Sequence, residues 1–227
     1  LDLDGAAIVV VSQASGISGR LQDDSLLESL LNDAARHGAT VILDRSDVPD
    51  CYRKQRPFSR PDLTGNIITI GSFSGAYGLA GWRAGYFTAP EELMPRLAGL
   101  KESMSISTTT PTQFAMLAAI EHGDDILETA RADFAARRDL ATTLLQQYDL
   151  AFEIPAVYPG LLIDLRSIGL NDCEIAARLE TDAGVRVEAG SAYGPSLSGN
   201  IRIDLRCGQS DLEEGIQRIA TFLNGGQ

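Results

Sequence analysis

Between residues 72 and 86 the chain reads Ser-Phe-Ser-Gly-Ala-Tyr-Gly-Leu-Ala-Gly-Trp-Arg-Ala-Gly-Tyr. The hydroxyls of Ser72 and Ser74 and the guanidinium of Arg83 are groups that hold an anion by hydrogen bonding and charge. The four glycines, Gly75, Gly78, Gly81 and Gly85, let the backbone take positive φ or approach a ligand closely. Set between two apolar runs, the stretch reads as a phosphate cradle. Upstream, Asp44 ends a β-branched run, which puts a carboxylate at the C-terminal edge of a parallel strand, where ligands of open α/β sheets sit.

The cradle resembles the lysine-bearing segment of fold-type I pyridoxal-phosphate enzymes, in particular class I and II aminotransferases and relatives of histidinol-phosphate aminotransferase. Those enzymes carry Ser-x-Ser-Lys-x-x-Gly-x-x-Gly-x-Arg-x-Gly-Tyr. Ser72, Ser74, Gly78, Gly81, Arg83, Gly85 and Tyr86 match, and the lysine position is Gly75. In such enzymes the lysine amine bonds the cofactor and then moves the substrate proton, and glycine does neither. The remaining lysines, Lys54 and Lys101, fall in stretches that do not align to that position.

The same resemblance implies roles elsewhere. Asp44 matches the aspartate that pairs with the pyridinium nitrogen, the plain alternative being a strand-end carboxylate paired with Arg45. The family's Asn-Pro-x-Asn-Pro-Thr-Gly segment corresponds to Gln13–Gly19, so the asparagine that bonds the ring oxygen is replaced by Gly16, and the ring tyrosine is replaced by Asp47. Asn200-Ile201-Arg202-Ile203 resembles the segment whose arginine grips a substrate α-carboxylate as a bidentate pair; the alternative is an edge-strand arginine in a surface salt bridge. Val185–Gly194 resembles Gly-Val-x-Val-x-Pro-Gly-Ser-x-Phe-Gly, with Ala189 for proline and Tyr193 for phenylalanine. The expected site is therefore Asp44, Ser72, Ser74 and Arg83 for the cofactor and Arg202 for substrate, with no catalytic residue and no metal.

The elements needed to position these groups follow from pattern. Residues 6–12, 39–43, 66–70 and 84–88 read as strands, the first a continuous β-branched run of the kind buried on both faces in a parallel sheet. Apolar spacing from Leu26 to Ala35 makes a helix face, with Asp23 or Asp24 as N-cap and Gly38 closing the end. Further helices are expected over 90–101, 112–122 and 125–148, the last linking two domains. Strands at 161–165, 185–188 and 200–205 with helices at 171–182 and 211–223 complete a smaller layer. His37 and His122 sit at helix ends as cation placements rather than bases. The fold class expected is α/β. It combines part of an aminotransferase-type large domain (residues 1–148, a mostly parallel sheet with helices on both faces) with a small α+β domain (149–227). The chain opens at Leu1 and lacks counterparts of the family's N-terminal arm and first phosphate loop, so it reads as part of something longer.

Composition narrows the partners. A formal charge of -12 argues against nucleic acid or an anionic membrane, which require clustered Lys and Arg. The proline-rich stretch 48–65, with Arg53, Lys54, Arg56 and Arg60, reads as a surface loop whose basic groups are solvated or guard a site entrance. Cys51, Cys173 and Cys207 have neither disulfide nor zinc spacing and are expected to be buried structural thiols. No run of about 20 apolar residues or leader is visible, giving a cytoplasmic location by default.

The leading expectation is a degenerate aminotransferase-like domain. It would pair as a homodimer or a heterodimer with an aminotransferase-like chain, and pyridoxal phosphate would be bound non-covalently or absent. The alternatives are a pyridoxal-phosphate enzyme of amino-acid metabolism with altered chemistry or a shared site, a lysine-to-glycine change made in the laboratory, and a binding module unrelated to amino acids, against which Arg202 and the phosphate cradle speak. A small amino-acid or anionic ligand is a possible partner.

Overall fold

The computed structural model describes residues 3–47, 64–75, 77–157 and 159–225. Cys51, Lys54 and the expected basic loop lie outside them. The chain divides into two compact units, Leu1–Ala14 with Leu21–Arg131, and Ser15–Arg20 with Ala132–Gln227.

In the first unit, β1 (Ile8–Ser12), β2 (Thr40–Asp44) and β3 (Ile67–Ser72) are parallel, and β4 (Gly85–Thr88) pairs antiparallel with β3. The crossover from β1 to β2 is made by α1 (Asp24–Arg36). Asp23 starts that helix, its carboxylate accepting from the Ser25 and Leu26 amides, and Gly38 leaves it at φ +68. Leu27, Leu31 and Ala34 bury against Val41 and Leu43, with Val9 and Val11 packed beside them. The other face of β1 is open: Ile8 is 59% and Val10 68% exposed.

Register decides which residues share that open face. Ser12 pairs with Asp44 and Asp44 with Ile70, while Ser72 lies two residues beyond Ile70. With a side-chain period of two, Asp44 and Ser72 both belong to the face of Ile8 and Val10.

After β4, α2 (Met94–Met104) buries no residue, and it starts later than the apolar spacing from Pro90 implies because residues 91–93 form turns. Then α3 (Thr110–His122) sets Ala119 against Phe73 and Ala84, which packs the cradle's own turn. The long α4 (Asp124–Gln147) begins in the first unit and buries Phe134, Ala141 and Leu145 in the second.

The second unit contains β5 (Gly160–Asp164), α5 (Asp172–Asp182), β6 (Glu188–Ala189), β7 (Asn200–Asp204) and α6 (Gln209–Gly225), with β7 central and antiparallel to both neighbours. Leu161, Ile163, Leu179, Ile201, Ile216 and Ile219 form its core. The expected strand over 185–188 shrinks to two residues because the Val185 amide turns back to the Leu179 carbonyl and closes α5 instead of joining a ladder.

Cys173 and Cys207 are exposed free thiols rather than buried ones. Cys173 sits in the first turn of α5, 3.1 Å from the Ser191 hydroxyl, and Cys207 follows the end of β7. No helix among the described residues is long and apolar enough to cross a membrane.

Candidate cofactor and anion sites

Asp44 and Ser72 are the last residues of adjacent parallel strands, so the sheet itself delivers both to one carboxyl edge and one face. Asp44 Oδ1 accepts from the Ser46 amide at 2.8 Å, which orients the carboxylate. Arg45 is not its partner: that guanidinium is buried and donates through Nε to Gln13 Oε1 at 2.8 Å.

Ser72 Oγ accepts from the Ser74 amide at 3.0 Å, folding the start of the cradle back on itself. The turn then closes through the Leu79 amide to the Phe73 carbonyl. Gly71 allows this, since a Cβ there would meet the Tyr86 ring at 2.2 Å. Tyr86 in turn meets Phe73 edge-on, ring centres 6.0 Å apart.

Arg83 adopts φ 54, a left-handed conformation that costs about 1 kcal/mol for a non-glycine residue, and Nη1 donates to the Ala80 carbonyl. The left-handed conformation closes the short turn Ala80–Trp82, the Arg83 amide also donating to the Ala80 carbonyl. At Gly75 no atom of the described residues other than its chain neighbours lies within 4 Å of where a Cβ would stand, and φ is not positive.

Arg202 belongs to the second unit and has a different setting. Its side chain is 9% exposed. Nε donates to the Ile17 carbonyl at 3.0 Å, Nη2 to the Gly16 carbonyl at 3.2 Å and to Asp204 at 3.4 Å, and Nη1 to Glu188 Oε2. The Tyr193 hydroxyl donates to that same Glu188 oxygen at 2.8 Å. The Tyr193 bond, and then Arg202, hold the Glu188 carboxyl below the usual carboxylate range against the opposing effect of burial. Burial and the Glu188 charge push the Tyr193 phenol up.

Sequence reasoning named Arg202 but missed Glu188, Tyr193 and the Gly16 and Ile17 carbonyls as its partners. A signal existed for one of them: Glu188 alternates with Val187 at the start of a strand, which puts a charge on the face opposite the apolar one.

By residue type, the groups present would suit two ends of pyridoxal phosphate. Ser72, Ser74 and Arg83 suit the phosphate and Asp44 the ring nitrogen. They do not fit its covalent anchor, because Gly75 has no amine.

A mostly parallel α/β sheet carrying such a cradle and aspartate at its carboxyl edge defines part of a fold-type I pyridoxal-phosphate enzyme. The chain belongs to the family described as aminotransferase class I and II, which matches residues 3–219. An aspartate aminotransferase of Rhizobium meliloti strain 1021 is 32% identical over 228 residues, covering 93% of this chain and 55% of its own length. The fold is shared with an aromatic aminotransferase from Pyrococcus horikoshii OT3, at TM-score 0.87 and 23% identity over 96% of this chain and 60% of that one. It is shared too with a pyridoxal-phosphate-bound protein from Clostridium difficile 630, at TM-score 0.86 and 22% identity over 96% and 58%. The chain spans about half the length of the curated relatives it matches.

Proposed function

We propose that this chain is an aminotransferase-like domain that does not transaminate by itself and acts as a non-catalytic subunit or domain beside a lysine-bearing aminotransferase-like chain. The observation that carries this reading is Gly75, an amine-free residue in a cradle that otherwise keeps its two serines and arginine. Among the described residues other than its chain neighbours, no side chain comes within 4 Å of a Cβ placed there. The pairing, as a homodimer or with a related chain, is supported by the open apolar face of β1.

A second reading is favoured by Asp44 and Ser72 sharing one sheet face. It is an enzyme of amino-acid metabolism that holds pyridoxal phosphate non-covalently, or completes its site with another chain.

The test mixes the purified chain with pyridoxal phosphate, an amino donor and a 2-oxo acid, alone and with a lysine-bearing aminotransferase of the same organism. The proposal expects no turnover alone and a stable complex with the partner. Turnover by the isolated chain would overturn it in favour of the second reading.

A further inference from the structure

The register of the second sheet sets Glu188 directly opposite Arg202 across the β6 and β7 pair. Directly opposed residues of an antiparallel pair project from the same face with Cβ atoms about 5 Å apart, so a carboxylate at 188 reaches the guanidinium from the strand geometry alone. On the other side of β7 the residue opposite Arg202 is Leu162, which offers no acceptor.

The guanidinium plane is fixed by the Ile17 and Gly16 carbonyls, which accept from Nε and Nη2. Nη1 is the nitrogen left for an anion, and Glu188 Oε2 takes it. An arginine nitrogen and a tyrosine hydroxyl converging on one carboxylate oxygen form the donor set that an external carboxylate would need. Here the chain supplies that carboxylate itself.

We infer that Glu188 is a built-in occupant of the Arg202 anion site and sets its ligand preference, so that a free monocarboxylate binds Arg202 only when the Glu188 side chain swings out. The Glu188 side chain is 50% exposed while Arg202 is 9% exposed, so the carboxylate lies on the solvent side of the pair. Charge points the same way. Arg202 faces Glu188 and Asp204, and Asp204 is also paired with Arg206 at 2.6 Å. Two cations and two anions leave no net charge for an incoming carboxylate. Neutralising position 188 leaves one positive charge, and removing its side chain also leaves an open nitrogen. The inference depends only on the geometry at Arg202, so it stands or falls separately from the proposal built on Gly75.

The experiment follows the Arg202 Nε–H proton resonance, assigned by its loss in Arg202→Lys, during titration with propionate and, as a matched cation, propylammonium. The unmodified chain is compared with Glu188→Gln and Glu188→Ala. Propionate affinity is expected to rise in the order parent, Gln, Ala, by roughly tenfold or more at the last step, as for a charge-assisted hydrogen bond gained at Nη1. Propylammonium should show no such gain. Equal propionate affinity in all three, including binding too weak to measure in each, would overturn the inference. Glu188→Gln keeps an acceptor for both Tyr193 and Arg202, so it decides the matter if Glu188→Ala fails to fold.

Discussion

Gly160 lies so close to Ile17 that a β-carbon on it would stand 2.1 Å from the Ile17 carbonyl oxygen. The Gly16 carbonyl would be 2.6 Å away, and these are the two oxygens that accept from Arg202. Gly160→Ala should therefore destabilise the chain by about 1–3 kcal/mol, the usual cost of overpacking. It should also shift the Arg202 Nε–H resonance. Urea unfolding and the proton spectrum check both; a stability change under about 0.5 kcal/mol would mean that the contact is soft.

Gly75→Lys should be tolerated, because its Cβ meets open space and φ is not positive. The melting temperature is expected to stay within a few degrees of the parent, roughly the effect of a surface substitution. After incubation with pyridoxal phosphate and borohydride reduction, mass spectrometry should find a covalent adduct at residue 75 in the variant and none there in the parent.

Arg83→Gly separates strain from binding. Relief of the left-handed conformation, about 1–2 kcal/mol, is partly offset by the greater chain entropy of glycine, about 0.5–1 kcal/mol. Stability should rise by less than about 1.5 kcal/mol, while affinity for pyridoxal phosphate falls. Equilibrium dialysis with the cofactor reads the second effect, and unchanged affinity would remove Arg83 from the candidate site.

Acid should weaken the second unit. The Asp164 carboxyl is lowered chiefly by its hydrogen bond from Arg166, and Glu188 by Tyr193 and then Arg202. In Asp204 and Asp172 burial pushes upward and is outweighed, by hydrogen bonds from Arg206 and from the Ser191 amide respectively. Groups lowered in the folded state contribute stability above their unfolded values, near pH 4, and lose it as pH falls through the folded ones. The urea midpoint should hold steady between about pH 5 and 8 and drop below about pH 4, less steeply in Glu188→Gln. A midpoint that climbs on acidification would contradict the ion-pair assignments.

How much of this was legible in the sequence depended on the range of the interaction. The strands of the first sheet, α1 with its Asp23 cap, and the placement of Asp44, Ser72 and Ser74 at one edge follow from local pattern and from a segment of a few residues. His37 also behaves as a helix-end group, Nδ1 lying 2.8 Å from the Asp33 carbonyl. The surroundings of Arg202 were not legible, because its Ile17 partner is 185 residues away and its Glu188 partner depends on the register of a two-residue strand. The cysteines misled because side-chain preference says inside, whereas Cys173 lies at the open start of a helix and Cys207 after a strand end. The left-handed Arg83 and the short β6 arise from how turns close, which periodicity does not report.

Ser15–Arg20 groups with Ala132–Gln227 although more than a hundred residues separate them in sequence. The backbone therefore passes between the units three times, and no single cloning boundary divides them. A fragment begun at Ala132 would lose the carbonyls that anchor Arg202 and the Gly19 carbonyl that receives the Ala156 and Val157 amides. A workable excised half would need those six residues returned through an engineered linker.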